Sequence, residues 1–181
     1  MAPTDRYSRF AVALHWIMAL GVLTQILLGW WMIEIPKSPP GLRAYWFNVH
    51  KSIGITLGLL AIVRIGWRFA RPAPALPDHL PAWQRTAAVA SHAGLYVCMM
   101  VMPLAGYLGS SFTKYPIKYW GVTLPHWGWD APALKEICST VHYAAAWGFM
   151  GLVTLHVLAA LMHVLVKRDG VFQRMWWVRA A

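Results

Sequence analysis

Four long apolar stretches constrain the fold of this 181-residue chain more than any other feature. A helix that crosses a bilayer needs roughly 20 mainly apolar residues, and the stretches at about 10–33, 49–67, 86–110 and 141–166 all qualify. Charged residues make up 12% of the chain, whereas a soluble domain usually carries about 25%. We therefore predict an all-α integral membrane four-helix bundle in the lipid bilayer, with residues 1–181 forming a single domain.

The distribution of Lys and Arg predicts the orientation of this bundle. Ten of the sixteen basic residues fall on the side that holds both termini, and six fall on the other. The positive-inside rule then places both termini in the cytoplasm. Topology and attraction to lipid headgroups account for the net charge of +10, so we expect no nucleic-acid partner.

Histidines inside or at the mouths of the apolar stretches are the candidate functional residues: His15, His50, His142 and His156. An imidazole inside a membrane is a functional-site hypothesis by default, because it is costly to bury there without a partner. At about 100° and 1.5 Å per residue, His142 and His156 share one helix face about 21 Å apart. His163, seven residues further on, continues the same stripe.

Depth in the membrane predicts how these histidines pair. His50 begins the second helix and His142 lies near the outer end of the fourth, whereas His15 and His156 both lie in the inner half. The matched pairs are therefore His50 with His142 and His15 with His156. His92, about six residues into the third helix, is a competitor at the depth of His15: an axial ligand in its place, a propionate partner or a hydrogen-bonded core histidine.

Two histidines per level suit iron in a porphyrin, which needs two protein ligands when six-coordinate. Zinc draws on close clusters of Cys, His and carboxylates, and the apolar stretches hold almost no Asp or Glu. No C-x-x-C-H motif is present, so two haem groups would be held non-covalently. Gly54 and Gly58 follow His50 on one face and either make room for a macrocycle or form a G-x-x-x-G helix-packing motif.

Connections between the stretches carry weaker signals. Residues 71–81 are rich in proline and predict an extended segment. The connection Ser111–Glu136, about 26 residues long, shows no sustained apolar periodicity and is a candidate lid over the outer half of the bundle. His79 and His126 fall in connections and are expected to be solvated.

Short motifs along the chain resemble those of bacterial cytochrome b561 proteins, which are related to the b-type cytochrome subunits of nickel hydrogenases. In chain order the motifs are Arg6-Tyr7-Ser8-Arg9 with Leu14-His15-Trp16; His50-Lys51-Ser52-Ile53-Gly54 with Arg64 and Trp67-Arg68; His92 with Tyr96, Pro103 and Gly106-Tyr107; and Val141-His142, Leu155-His156 and Met162-His163. The likeness covers nearly the whole chain.

This resemblance implies a multi-pass protein of the bacterial inner membrane that binds two haem b groups and exchanges electrons with ubiquinone or another membrane quinone. It implies axial ligation by His15, His50, His142 and His156, which makes His92 the less favoured ligand but keeps it among the candidate cofactor-binding residues. Some members of the family are implicated in oxidising superoxide at the outer face, which makes a superoxide:quinone oxidoreductase one possible activity.

Further residues are candidates for the exchange of electrons with partners. Lys51, Lys114, Lys118 and Lys135 would steer a small anion such as superoxide to the outer face, or they balance haem propionates or simply face water. His163 is the first candidate for binding a quinone, with His92 and Arg64 behind it, although Arg64 could instead snorkel to headgroups.

Two other functions compete with a quinone-coupled oxidoreductase. One is a non-catalytic haem b anchor and electron relay for a separate dehydrogenase or hydrogenase, which would require a partner redox subunit. The other is a transporter, which usually contains an inverted repeat. No such repeat is visible in the sequence.

Overall fold

The computed structural model describes residues 6–38, 41–77 and 80–177. The long helices are α1 (Arg9–Ile33), α2 (Leu42–Ala70), α3 (Ala82–Ser111) and α4 (Pro132–Leu161). The shorter elements are the strands β1 (Ile117–Tyr119) and β2 (Val122–Leu124), a π-helical turn at Met162–Lys167 and a 3₁₀ turn at Phe172–Met175. All four long helices have the length and apolar composition needed to cross a membrane. The prediction of an all-α membrane bundle is confirmed, and the cytoplasmic location of the termini stays a prediction.

Local signals explain where the long helices begin. Ser8 caps α1, because its Oγ accepts a hydrogen bond from the backbone N–H of Ala11 at 3.3 Å. Gly41 precedes α2 with φ at +104°, a conformation that costs glycine little. Pro81 precedes α3, and Pro132 is the first residue of α4. Proline is well tolerated there, because a backbone N–H at the start of a helix has no hydrogen-bond partner within the helix.

Two helices begin well before the predicted boundaries. The second starts at Leu42, seven residues ahead of the predicted position 49, and the fourth starts at Pro132, nine residues ahead of the predicted position 141. Those boundaries were wrong because hydropathy marks only where apolar character ends, and both helices continue beyond that point through turns that contain more polar residues. The Ser111–Glu136 connection is correspondingly shorter.

The start of α1 and the end of α4 lie together at one end of the bundle, which we call the terminal end. Trp16 Nε1 donates a hydrogen bond to the Met175 carbonyl at 2.8 Å. Lys167 Nζ donates to Gln84 Oε1 at the start of α3 over 2.6 Å. The four helices therefore run alternately up and down, with short elements closing each end.

At the opposite end, the hairpin end, β1 and β2 form an antiparallel pair. Both turn residues, Trp120 and Gly121, have positive φ, as a tight two-residue hairpin turn requires. Trp120 is held there by its backbone N–H, which donates to Ser52 Oγ at 2.9 Å, and by Nε1, which donates to Thr56 Oγ1 at 3.3 Å. The predicted lid is thus a structured hairpin that packs against α2.

The interior of the bundle is narrow. Leu14, Met18 and Ala61 form the fully buried centre, with partly buried apolar side chains of α2 and α3 around them. Many large apolar residues point outward instead, and Leu27 and Leu158 are 66% and 59% exposed. Such an apolar exterior is expected of a bundle whose outer surface contacts lipid hydrocarbon.

Candidate metal centres

At the hairpin end, α2 and α4 bring the imidazole rings of His50 and His142 close together. Their ring centroids lie 6.2 Å apart, with the planes inclined at 70°. With a metal–nitrogen bond of about 2.0 Å and a ring nitrogen about 1.1 Å from the centroid, two trans imidazoles on one metal would have centroids about 6.2 Å apart. We call these residues the hairpin-end pair, and their spacing fits coordination of a single iron.

A backbone carbonyl orients one member of this pair. His142 Nδ1 donates a hydrogen bond to the Met102 carbonyl at 2.9 Å, which leaves Nε2 free to bind a metal. Ligating histidines usually make such a bond with their second nitrogen. Gly106 permits the approach, because a methyl group there would lie 3.3 Å from His142 Nδ1.

The environment of His50 is similar but incomplete. Gly29 of α1 lies beneath the ring, where a methyl group would be 3.5 Å from Cε1. His50 Nδ1 is buried and has no hydrogen-bond partner among the described residues. An unpaired buried polar atom of this kind indicates a group that acquires a partner in the functional state.

At the terminal end, three histidines from three helices meet, and we call them the terminal-end trio: His15, His92 and His156. The centroids of His15 and His156 are 6.1 Å apart, which matches trans coordination as closely as the hairpin-end pair does. Those of His92 and His156 are only 5.4 Å apart. This spacing favours His15 over His92 as the partner of His156.

The structure brings together the histidines that were paired by depth in the sequence analysis, although the expected position of His50 within its helix was wrong. His50 lies eight residues inside α2 and not at its beginning. The predicted pair still forms because α4 also starts earlier than predicted, by nine residues against seven for α2. The depths of His50 and His142 relative to each other therefore change little. Within the regular helix α4, His142 and His156 remain about 21 Å apart.

Gly54 and Gly58 both face neighbouring helices. A methyl group on Gly54 would lie 3.0 Å from Gln25 Nε2 of α1, and one on Gly58 would lie 3.0 Å from Pro103 Cγ of α3. Of the two interpretations left open by the sequence, these contacts favour helix packing. Gly29 and Gly106, which the sequence analysis did not select as glycines beside a ligand, are the ones that contact the imidazoles.

The guanidinium group of Arg64 in α2 contacts α1. Its Nη1 donates to the Ala11 carbonyl at 3.2 Å, and its Nη2 lies 3.4 Å from His15 Nδ1. If His15 binds a metal through Nε2, Nδ1 carries the proton and Arg64 keeps only the carbonyl of Ala11. A small cavity beside it is lined by two tyrosines and three arginines, together with apolar side chains: Tyr7, Ala11, Leu14, Arg64, Trp67, Arg68, Arg71 and Tyr96.

His163 lies in the π-helical turn beyond α4, nearer the terminal end than His156. Its Nδ1 donates to Asp169 Oδ2 at 2.7 Å, and the two side chains are 13% and 10% exposed. The sequence analysis missed Asp169, although a carboxylate six residues after a histidine at the end of a span is a visible signal. Single π-helical turns occur frequently at functional sites.

The lysines selected from the sequence are spread around the hairpin end. Lys114, Lys118 and Lys135 are exposed, and Lys51 is half-buried beside His50. The backbone carbonyl of Lys118 accepts a hydrogen bond from Ser52 Oγ at 3.3 Å, so the hairpin brings the backbone of Lys118 close to the turn of α2 that holds His50. The role of these lysines in steering an anion stays a prediction.

His126 does not match the expectation of a solvated side chain. It is half-buried, and its Nδ1 lies 3.2 Å from the Ser111 carbonyl. The expectation was wrong because the connection folds back onto α3 at this point. His79 lies outside the described residues.

The donor groups suit a porphyrin better than a bare ion. Within the described ranges, no cluster of three or more His, Cys, Asp or Glu side chains is arranged to hold a metal ion. Each level supplies two opposed imidazoles instead, which is the number that iron still needs when four nitrogens come from a macrocycle. The residues present therefore fit haem.

Comparison with known proteins agrees with this chemistry. Residues 6–177 match the family described as prokaryotic cytochrome b561. Cytochrome b561 homolog 2 of Escherichia coli K12 is 32% identical over 177 residues, which cover 94% of this chain and 91% of the relative. Cytochrome b561 homolog 1 of the same organism is 27% identical, covering 94% of this chain and 97% of the relative.

A third relative carries a functional name. The probable superoxide oxidase CybB of Yersinia pestis is 27% identical over 177 residues, covering 94% of this chain and 95% of the relative. The family match extends over nearly all of the sequence and includes every histidine of the hairpin-end pair and the terminal-end trio. The chain belongs to the prokaryotic cytochrome b561 family.

Proposed function

We propose that this membrane haem b electron-transfer protein holds two haem b groups and conducts electrons from a donor at the hairpin end to a membrane quinone at the terminal end. Superoxide is the favoured donor. The observation that carries the proposal is the presence of two opposed imidazole pairs, 6.2 and 6.1 Å between centroids, about 21 Å apart along α4.

In this proposal His50 and His142 hold one haem, and His15 and His156 hold the other. Held by two imidazoles, each haem would supply one-electron transfer and would not bind dioxygen. The helices fix the ligands on rigid backbone, so little reorganisation is needed when the charge changes. The protein residues therefore set the position and the potential of each centre.

Reduction of a quinone to a quinol consumes two electrons and two protons, so the site needs a proton donor as well as a nearby haem. His163 provides an imidazole whose Nδ1–H is bonded to Asp169, and with a second proton on Nε2 the ring would donate a hydrogen bond to a quinone oxygen. A positioned imidazole is the side chain most often used as a general acid. We assign the quinone headgroup to this region.

His92 and Arg64 have secondary places in this assignment. His92 packs against His156 and stabilises the ring from the α3 side. Arg64 crosslinks α2 to α1 through the Ala11 carbonyl and keeps further N–H groups for a haem propionate or a quinone oxygen. Neither lies as close to the terminal end as His163.

Three arguments favour superoxide as the electron donor at the hairpin end. If that end faces outward, an electron moving to the terminal end travels against an inside-negative potential, at about 2.3 kcal/mol per charge per 100 mV. A strongly reducing donor overcomes such a penalty. The relative named as a probable superoxide oxidase and the exposed lysines around the hairpin support the same donor.

Stopped-flow mixing tests the proposal directly. The purified, haem-loaded protein is mixed anaerobically with potassium superoxide from an aprotic stock, and the haem absorption is followed before and after adding ubiquinone. We expect rapid haem reduction that superoxide dismutase abolishes, followed by reoxidation on adding the quinone. Full reduction by dithionite with none by superoxide would exclude this donor.

The alternative is an anchor and relay for a separate dehydrogenase or hydrogenase. The exposed aromatic residues on the loop beside the hairpin, among them Trp127 and Trp129 at 64% and 70% exposure, would then contact a peripheral subunit. Copurification of such a subunit in a fixed ratio, together with an absent superoxide reaction, would favour this function.

A further inference from the structure

Gln25 is a polar residue inside the apolar helix α1. An amide in this position is costly unless its donors and acceptors are paired, because hydrocarbon supplies no hydrogen bonds. Residues facing lipid are normally apolar, so an intramembrane Gln requires a specific partner. Its contacts identify that partner.

The amide of Gln25 lies against His50. Gln25 Nε2 donates to the backbone carbonyl of His50 at 2.7 Å. Gly54, one turn further along α2, provides the space, because a methyl group there would lie 3.0 Å from that nitrogen. The amide is therefore fixed beside the hairpin-end pair.

Two buried atoms of this contact have no partner among the described residues: Gln25 Oε1 and His50 Nδ1. Gln25 Oε1 can only accept a hydrogen bond. When His50 coordinates iron through Nε2, its Nδ1 must carry the ring proton and can only donate. Coordination thus creates a donor on the residue whose backbone carbonyl the Gln25 amide already binds.

We propose that Gln25 is a positioning residue for the imidazole of His50. In this role Gln25 Oε1 accepts a hydrogen bond from His50 Nδ1–H once the haem is bound. The inference rests on the proposed haem ligation by His50. Neither atom bonds the other in this structure, so the required movement is a rotation of the His50 ring or of the Gln25 amide.

The hairpin-end pair itself provides the competing arrangement. His142 Nδ1 bonds the Met102 backbone carbonyl, four residues before Gly106. Gln25 stands in the same relation to Gly29, which lies under His50. The backbone carbonyl of Gln25 is therefore the rival acceptor, and a change of the Gln25 side chain separates the two arrangements because it leaves that carbonyl in place.

The hydrogen bond has a measurable electronic consequence. An acceptor on Nδ1–H raises the basicity of the imidazole and strengthens its bond to the metal. Oxidised iron gains more from a stronger donor than reduced iron, so the bond lowers the reduction potential. A carboxylate at position 25 strengthens the effect, and an apolar side chain removes it.

Potentiometric titration of the two haems in wild-type, Gln25→Leu and Gln25→Glu proteins tests the assignment. We expect Gln25→Leu to raise the potential of one haem so that its reduced-to-oxidised ratio increases about tenfold, or about 59 mV for one electron. Gln25→Glu should lower the potential of the same haem. Thr24→Val is the matched control and should change neither potential, because Thr24 is an exposed neighbour whose hydroxyl donates to the Leu20 carbonyl of its own helix.

Other outcomes would overturn the assignment. Unchanged potentials in both Gln25 variants would assign the Nδ1–H to the backbone carbonyl and leave the proposed function intact. If Gln25→Leu fails to fold, a lowered potential in Gln25→Glu alone supports the proposal and an unchanged one refutes it. If a His50→Ala variant keeps the haem content of the wild type, both the proposed function and the role of Gln25 are refuted.

Discussion

The hairpin-end pair and the terminal-end trio present the same imidazole spacing in different surroundings. In the hairpin-end pair, His142 is bonded to a backbone carbonyl, and the turn of α2 that follows His50 is bonded to a hairpin. At the terminal end a third histidine and Arg64 crowd the pair, and the His163–Asp169 dyad lies seven residues beyond His156. Similar coordination geometry is thus accompanied by the Gln25 amide and Lys51 at one end and by further histidines, an arginine and a carboxylate at the other.

The contrast indicates a division of labour. A centre that only receives and passes electrons needs ligands whose orientation is fixed by hydrogen bonds to their second nitrogen. A centre that delivers electrons to a quinone must also supply protons, and this requires groups that bind and release them. The surplus polar groups lie at the end that we assign to the quinone.

Replacing His15 or His92 tests the terminal-end trio most strongly. Because only the 6.1 Å pair fits trans coordination, His15→Ala should lose the haem of this end completely. His92→Ala should keep both haems, with at most a small spectral shift. The haem b content per polypeptide, measured as the pyridine haemochrome, decides between them, and the reverse pattern would make His92 the ligand.

Replacing His163 should affect turnover without affecting the haems. We expect His163→Ala to leave the absorption spectrum and haem content unchanged and to slow the reoxidation of reduced haem by ubiquinone about 100-fold, a typical effect of losing a general acid. Asp169→Asn should slow it less, because the imidazole remains. The test is single-turnover stopped flow; unchanged quinone kinetics in His163→Ala would move the quinone site elsewhere.

Salt should produce the smallest effect, and only at the hairpin end. If the exposed lysines steer an anion, the rate of haem reduction by superoxide should fall several-fold as the Debye length shrinks from about 30 Å at 0.01 M to about 10 Å at 0.1 M salt. Lys118→Ala should weaken this dependence, whereas the exposed terminal-end substitution Arg85→Ala should not. A rate that is insensitive to ionic strength would show that the lysines serve another purpose.

Much of this architecture follows from the sequence, because membranes impose simple rules on it. Twenty apolar residues in a row must form a spanning helix, and the strict period of a helix relates His142 to His156 without any structure. Even the wrong starting points of α2 and α4 did little harm, since both errors shifted His50 and His142 in the same sense.

Contacts between individual side chains could not be predicted from these rules. The bond between Gln25 and His50 depends on the rotation of α1 and on a gap at Gly54, and helical periodicity in one segment does not fix the rotation of another. The His163–Asp169 dyad depends on a π-helical turn and on the left-handed Arg168 that follows it, which redirect the chain where a regular α-helix would have continued.

The haem b content of the purified wild-type protein and of the double variant His142→Ala/His156→Ala tests the central claim most directly. Each variant residue belongs to a different level of the bundle, so the account predicts two haem b groups per wild-type polypeptide and none in the double variant. A colourless wild-type protein from haem-sufficient cells, or pigment that persists in the double variant, would contradict it.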